Sequence, residues 1–123
     1  MVAWIQDDPA GTAFEAFLLN ADAGKLQLLM SWYNVAETFY TVAKRRKLSI
    51  AEEFLTRLPS LPVRLVLPDE DGIVAAARVK ASNAVALGDA FAIALAQSAE
   101  ASVITGDQEI RRCKLVPVDW LGE

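Results

Sequence analysis

The stretch LQLLMSWYNVAETFYTVAKRR, residues 26–46, decides the fold class of this chain. Leu26 to Met30 is an apolar run of strand length, and Ser31 then stands where an N-cap residue opens a helix that runs to about Arg46. The apolar residues of this helix recur at helical spacing and would form its buried stripe: Trp32, Val35, Phe39 and Val42. A strand that leads directly into a helix is typical of α/β proteins.

Helices and strands alternate along the rest of the chain. Further helices are predicted over residues 9–19, 49–59, 69–81 and 88–100, and further strands over residues 63–67, 102–105 and 115–118. Residues 21–25 read as a polar turn, Ser49-Ile-Ala-Glu52 has the pattern of a capping box, and Pro59 ends the helix that this box opens. With 123 residues the chain has room for one domain, residues 1–123, predicted to be an α/β sandwich around a mainly parallel central sheet flanked by helices.

The composition excludes several classes of chemistry. The chain has no histidine, which excludes serine–histidine and cysteine–histidine dyads, and the single Cys113 could not form a usual zinc site. One cysteine cannot form an internal disulfide, so a cytoplasmic location is expected, and no apolar run approaches the ~20 residues that span a bilayer. The net charge of −4 argues weakly against a broad nucleic-acid platform but says little about a local site.

Three carboxylates in short, distinctive contexts are the candidate functional residues. Asp107 follows the strand Ser-Val-Ile-Thr through a glycine, at the kind of strand end where α/β proteins bind ligands, although Asp is also a common helix cap. Asp89 lies in the first turn of a helix, where it either has a partner on the buried face or caps an exposed helix start. Glu37 lies at the edge of an apolar stripe, where a carboxylate projects either into a cleft or into solvent.

Convergence of these three acids would create a cation site. Each pair of carboxylates within a few ångströms costs on the order of 4 kcal/mol at an effective dielectric of about 20, unless a cation or protons offset the repulsion. Oxygen ligands favour Mg²⁺ or Mn²⁺, and such an ion can activate water for phosphodiester cleavage. We therefore expect a metal site if the fold brings the three residues together.

The stretches around these acids resemble the PIN-domain ribonuclease family, especially its VapC-type bacterial toxins. Four stretches carry the resemblance in the family's order: Ser31 to Tyr40, Leu87-Gly-Asp-Ala-Phe, Val103-Ile-Thr-Gly-Asp, and Val116-Pro-Val-Asp-Trp-Leu121. The resemblance as a whole covers nearly the whole chain. The resemblance implies a PIN-like three-layer sandwich. It also implies that Glu37, Asp89 and Asp107 are metal ligands or lie next to them. Asn34 and Thr105 would support the same site.

The implied activity is Mg²⁺- or Mn²⁺-dependent endonucleolytic cleavage of RNA by the toxin of a toxin–antitoxin pair. The implied partners are the RNA substrate, a small antitoxin protein whose peptide fills the groove over the metal site, and a second copy of the chain in a homodimer. The basic run Lys44-Arg-Arg-Lys47 would contact RNA phosphates or, as its position at the end of a helix favours, stabilise the carboxyl end of that helix.

Two departures from the family pattern modify these expectations. Ala86 stands where the family often has a serine before the helix of the third acid, so one helix cap would be lost. The family's first aspartate lies at the end of an N-terminal strand, and Met1 to Ile5 resemble the residues just after it; Asp7 and Asp8 lie too far along to replace it. We therefore expect a fold that lacks the first strand, with either a reading frame that starts upstream or a partner chain in the gap.

Two alternatives to an active ribonuclease stay open. In the first, this is a weakened or catalytically silent PIN-like protein that acts by binding an antitoxin or by assembling into an oligomer. In the second, it is a phosphoacceptor module of the receiver type, which also clusters acids at strand ends. The second ranks far lower, because no convincing strand-end lysine completes that pattern.

Overall fold

The computed structural model describes residues 27–105 and 108–120, so the helix predicted over residues 9–19 and the turn over residues 21–25 lie outside the described residues. The described elements follow in this order: β1 (Leu28–Ser31), α1 (Trp32–Arg45), α2 (Leu48–Arg57), a 3₁₀ turn (Leu58–Ser60), β2 (Val63–Val66), α3 (Glu70–Ser82), α4 (Leu87–Ala99), β3 (Val103–Thr105), α5 (Gln108–Cys113) and β4 (Val118–Trp120). The predicted α/β class is confirmed.

The strands of the described part of the chain form two parallel pairs. β1 pairs with β2, with Leu28 opposite Val63 and Ser31 opposite Val66, and β3 pairs with β4. Helix α4 packs against both β1 and β3 and so connects the two pairs. Within residues 27–105 and 108–120, β1 and β3 each have one hydrogen-bonded neighbour. This arrangement fits the expected sheet without its first strand.

The core of the described residues is divided between two apolar clusters. One is built on α3 and α4 and includes Ala76, Val79, Ala90, Phe91 and Ile93. The other joins β1, α1, α2 and the 3₁₀ turn through Met30, Val35, Phe54 and Leu58. Tyr33 of α1 packs against the first cluster, so α1 bridges both. None of the helices in the described ranges is both long and apolar enough to cross a membrane.

Side chains cap two of the helices as their sequences predict. Ser31 is buried, and its Oγ accepts a hydrogen bond from the Tyr33 N–H at 3.2 Å, which starts α1 directly after β1. Asp69 starts α3 in the same way, because its carboxylate accepts from the Gly72 N–H at 2.8 Å. Both caps satisfy backbone donors that the first turn of a helix leaves without a partner.

The capping box predicted at the start of α2 is wrong. The helix begins at Leu48 with Lys47 as its N-cap residue, so Ser49 already lies inside it. The carbonyl of Lys47 accepts the Ile50 N–H at 3.1 Å, and this backbone bond opens the helix without a side-chain cap. The end is as predicted, since the α-helix gives way to a 3₁₀ turn that contains Pro59.

The last strand begins three residues later than its sequence predicts. Residues 115–118 were expected to form it, whereas β4 covers Val118–Trp120. Lys114 has a left-handed backbone with φ of 56°, which turns the chain after α5. Pro117 has no N–H to donate, and its carbonyl accepts the Val103 N–H at 2.9 Å. The parallel pairing with β3 therefore starts only after the proline.

The buried face of α1 is more polar than its apolar stripe predicts. Val35 and Val42 are buried as expected, but Trp32 is 40% exposed. Asn34 and Thr38 are buried in its place, one turn apart on the same side of the helix. Buried polar side chains need hydrogen-bond partners, and the partner of Asn34 lies on α4.

Candidate functional site

The carboxylate of Glu37 lies directly against Gly88, where α1 meets the first turn of α4. A Cβ atom built on Gly88 would overlap both carboxylate oxygens of Glu37 and would lie 2.5 Å from its Cδ. Side chains larger than hydrogen at residue 88 would therefore displace the carboxylate. Gly88 is buried and Glu37 is half-buried. The negative charge of Glu37 also lies near the positive end of the α4 dipole, which favours it there.

Asn34, one turn before Glu37 on α1, also contacts Gly88. Its Nδ2 donates to the carbonyl oxygen of Gly88 at 2.8 Å, in a buried hydrogen bond between residues 54 positions apart. Asn34 and Glu37 are three residues apart and so lie on the same side of α1. The two side chains together hold the start of α4 against α1. Asn34 therefore joins α1 to the first turn of α4 at the glycine that Glu37 contacts.

Asp89 follows Gly88 in the first turn of α4 and is half-buried. Adjacent Cα atoms are about 3.8 Å apart across a trans peptide, so Asp89 leaves the backbone beside the glycine that Glu37 contacts. The N-cap residue of α4 is Ala86, which makes no side-chain cap hydrogen bond, as the departure from the family pattern predicts. The structure thus brings two of the three candidate acids to one helix junction.

Tyr33 adds a second contact between α1 and α4. Its ring stacks on Phe91 with centroids 4.2 Å apart and planes 10° apart. Burial raises the pKa of the Tyr33 phenol above the usual tyrosine value, and the charges of Glu37 and then Tyr40 raise this pKa further. The phenol is therefore neutral at neutral pH. Glu37 follows Tyr33 by four residues, which places the carboxylate and the ring on the same side of α1.

The remaining two candidates, Asp107 and the side chain of Thr105, lie outside the described residues; the backbone of Thr105 ends β3. Among the residues that the structure describes, no three His, Cys, Asp or Glu side chains are grouped as metal ligands. A third acid at the α1–α4 junction would therefore come from outside the described residues, where Asp107 lies.

A comparison with protein-family models decides the family. The model of the PIN domain matches residues 1–115, which is nearly the whole chain. The chain belongs to the PIN domain family. PIN domains are generally nucleases and typically depend on a divalent metal ion, so the two acids at the α1–α4 junction lie in a fold that commonly cleaves nucleic acid. Neither a curated protein nor a solved structure matches this PIN domain at a significant level.

The sequence pattern of this PIN domain did not reveal the part that Gly88 plays. Small residues beside Asp89 allow a close approach of another element, and the structure shows that this element is α1, through Glu37. One signal was present, because glycine is unfavourable inside a helix and Gly88 is the second residue of α4. A glycine that lowers helix propensity beside a candidate acid indicates a steric requirement.

Proposed function

We propose that this PIN domain is a Mg²⁺- or Mn²⁺-dependent endoribonuclease whose metal site is held by Glu37, Asp89 and Asp107. The observation that supports the proposal most directly is the position of the Glu37 carboxylate against Gly88, one residue before Asp89. Acids from two separate helices thus share one junction in a family of nucleases. A glutamate that only faced solvent would not require a glycine opposite its carboxylate.

The donor atoms at this junction fit a hard divalent cation. Carboxylate oxygens are the ligands that Mg²⁺ and Mn²⁺ prefer, and the chain has no histidine and only one thiol, Cys113 on α5. If the Glu37 and Asp89 carboxylates come within about 4 Å of each other, they repel by about 4 kcal/mol at an effective dielectric of about 20, and a bound cation would offset that cost.

The chain's own residues would hold the site in a fixed geometry. Asn34 ties α1 to α4 through the Gly88 carbonyl, and the stacked rings of Tyr33 and Phe91 oppose rotation of the two helices. Glu37 and Asp89 would thereby be kept at fixed positions relative to each other. A divalent ion bound there supplies an activated water molecule and stabilises the charge that develops on the phosphate.

The proposal extends to the toxin of a toxin–antitoxin pair, supported by the resemblance of the four sequence stretches. The antitoxin would be a small protein whose peptide covers the groove above Glu37 and Asp89, and the toxin would act as a homodimer. A catalytically silent PIN-like protein would bind the same partner without cleaving RNA. An activity measurement therefore separates the enzyme from the binding protein.

Cleavage of a single-stranded RNA, labelled at one end, tests the enzymatic proposal. The protein should cleave internal bonds in Mn²⁺ and lose this activity in EDTA. Asp89→Asn and Glu37→Gln should each lower kcat/KM by about 10- to 100-fold or more, the range seen when groups that position a metal are changed. Glu70→Gln removes an exposed carboxylate from the first turn of α3 and serves as the matched control.

The results of this assay distinguish the proposed ribonuclease from a catalytically silent PIN-like protein. Mn²⁺-dependent cleavage that falls in both junction variants and not in Glu70→Gln supports the proposed site. Cleavage that survives Asp89→Asn at full rate removes the nuclease role from this residue. A pure protein that cleaves no RNA in Mn²⁺ or Mg²⁺, yet binds its antitoxin, is the silent alternative.

A further inference from the structure

Glu37 is one member of a row of side chains that follows one side of α1. Tyr33, Glu37, Tyr40 and Lys44 are separated by four, three and four residues, which places them along the same side of a helix. At 1.5 Å per residue, Glu37 and Lys44 are about 10 Å apart along the helix axis. The row therefore connects the proposed metal site with the basic end of α1.

The outer half of the row consists of an aromatic ring and a cation. Tyr40 is 52% exposed, and the Nζ of Lys44 lies over its ring, 6.0 Å from the centroid. Helical side chains lean toward the N-terminal turn, and this brings the Lys44 cation over the ring of Tyr40, on the Glu37 side of the last turn.

Positive charge is concentrated at this end of α1. Lys44 to Lys47 contribute four of the 12 Lys and Arg residues of a chain whose net charge is −4. All four are exposed. Within residues 27–105 and 108–120, Lys44, Arg45 and Lys47 have no ion-pair partner. Although the chain as a whole carries a net negative charge, this basic segment would attract a polyanion locally.

We infer that Tyr40, Lys44, Arg45 and Lys47, here called the α1 track, bind single-stranded RNA next to the bond that is cleaved. This inference rests on the proposed function. Proteins hold single strands without sequence preference by stacking bases on aromatic rings and by placing cations along the phosphates. Lys44 lies about 10 Å from Glu37 along the axis of α1, so a strand that contacts Lys44 also passes close to Glu37. The α1 track thus orients the strand toward the carboxylates.

Fluorescence anisotropy of a labelled uridine oligonucleotide in EDTA measures binding without cleavage. Tyr40→Ala should weaken binding by at least about 5-fold, the lower end of what one stacked base contributes, whereas Tyr40→Phe keeps the ring and should stay within about 2-fold. Lys44→Ala should make the slope of log K against log salt concentration shallower by about 0.7, the value for one phosphate of a single strand. Lys80→Ala removes an equally exposed cation from α3 and should leave the slope unchanged.

The same titrations keep this inference separate from the catalytic proposal. If Tyr40→Ala and Lys44→Ala bind as the native protein does, the α1 track is wrong even where the protein cleaves RNA. If both weaken binding while the native protein shows no Mn²⁺-dependent cleavage, the α1 track stands and the proposed enzyme fails. A duplex that binds as tightly as the single strand also overturns the inference, because paired bases cannot stack on Tyr40.

Discussion

Substitution of Gly88 by alanine should separate the activity of this protein from its stability. The new Cβ would lie 2.5 Å from the Glu37 Cδ, so the carboxylate must withdraw by about 1 Å to reach an ordinary contact of about 3.5 Å. Overpacking that is relieved by shifts of side chains or backbone typically costs about 1–3 kcal/mol. Glu37 is a flexible side chain, however, and alanine is better than glycine inside a helix by about 0.5–1 kcal/mol. The free energy of unfolding should therefore change by less than about 1 kcal/mol.

The activity should respond much more strongly to the same substitution. A catalytic group displaced by about 1 Å costs about 100-fold in rate, so kcat/KM for RNA cleavage in Mn²⁺ should fall by about that factor in Gly88→Ala. Gly72→Ala, in the first turn of α3, is the matched control, since its Cβ meets only Asp69 and Pro68 at 3.3 and 3.5 Å. In a Glu37→Ala background, Gly88→Ala should have little further effect. If the losses of kcat/KM in Gly88→Ala and Glu37→Ala multiplied in full in the double variant, the steric explanation would be refuted. A Gly88→Ala protein with normal kcat/KM would also refute it.

Four further substitutions test the packing around the site, each by urea denaturation. Asn34→Ala should lower the free energy of unfolding by about 2 kcal/mol, because it removes a buried hydrogen bond to α4 and leaves the space of the amide empty. Ser31→Ala should cost about 1 kcal/mol through loss of the α1 cap. Glu100→Gly should stabilise the protein by up to about 1 kcal/mol, since residue 100 has a left-handed backbone with φ of 53° at the end of α4. Tyr33→Phe should flatten the loss of stability at alkaline pH. The pKa of Tyr33 is higher in the folded protein than the ordinary tyrosine value of 10.0 that applies to the unfolded chain. The contribution of Tyr33 to the free energy of unfolding is therefore fully present below that unfolded pKa and is lost as pH rises through the folded pKa.

The sequence predicts those elements whose ends carry local signals. Helix α3 was expected from Asp69 to about Ala81 and is found as Glu70–Ser82, because the aspartate cap acts within one turn of backbone. The start of α2 and the position of β4 were missed for a different reason. Both depend on backbone geometry, at Lys47 in one case and at Lys114 and Pro117 in the other, that residue type alone does not specify.

The contacts of the candidate site could be predicted only in part. Short patterns selected Glu37 and Asp89 as acids of interest, but these residues are 52 positions apart, and only the packing of α1 on α4 places Glu37 against the residue before Asp89. Helical periodicity placed Trp32 in the core and gave no sign that Asn34 and Thr38 would be buried instead. The reason is that the preference of a buried position for an amide or hydroxyl depends on the partner element, here the Gly88 carbonyl.

Selective broadening of nuclear magnetic resonance signals by Mn²⁺ tests most directly whether the α1–α4 junction holds a metal ion. Substoichiometric Mn²⁺ should broaden the Gly88 backbone amide and the Asn34 side-chain amide before signals of the exposed α2 acids Glu52 and Glu53, and Asp89→Asn should abolish this selectivity. Broadening that begins at Glu52 and Glu53, or that is unchanged in Asp89→Asn, would contradict a metal site between Glu37 and Asp89.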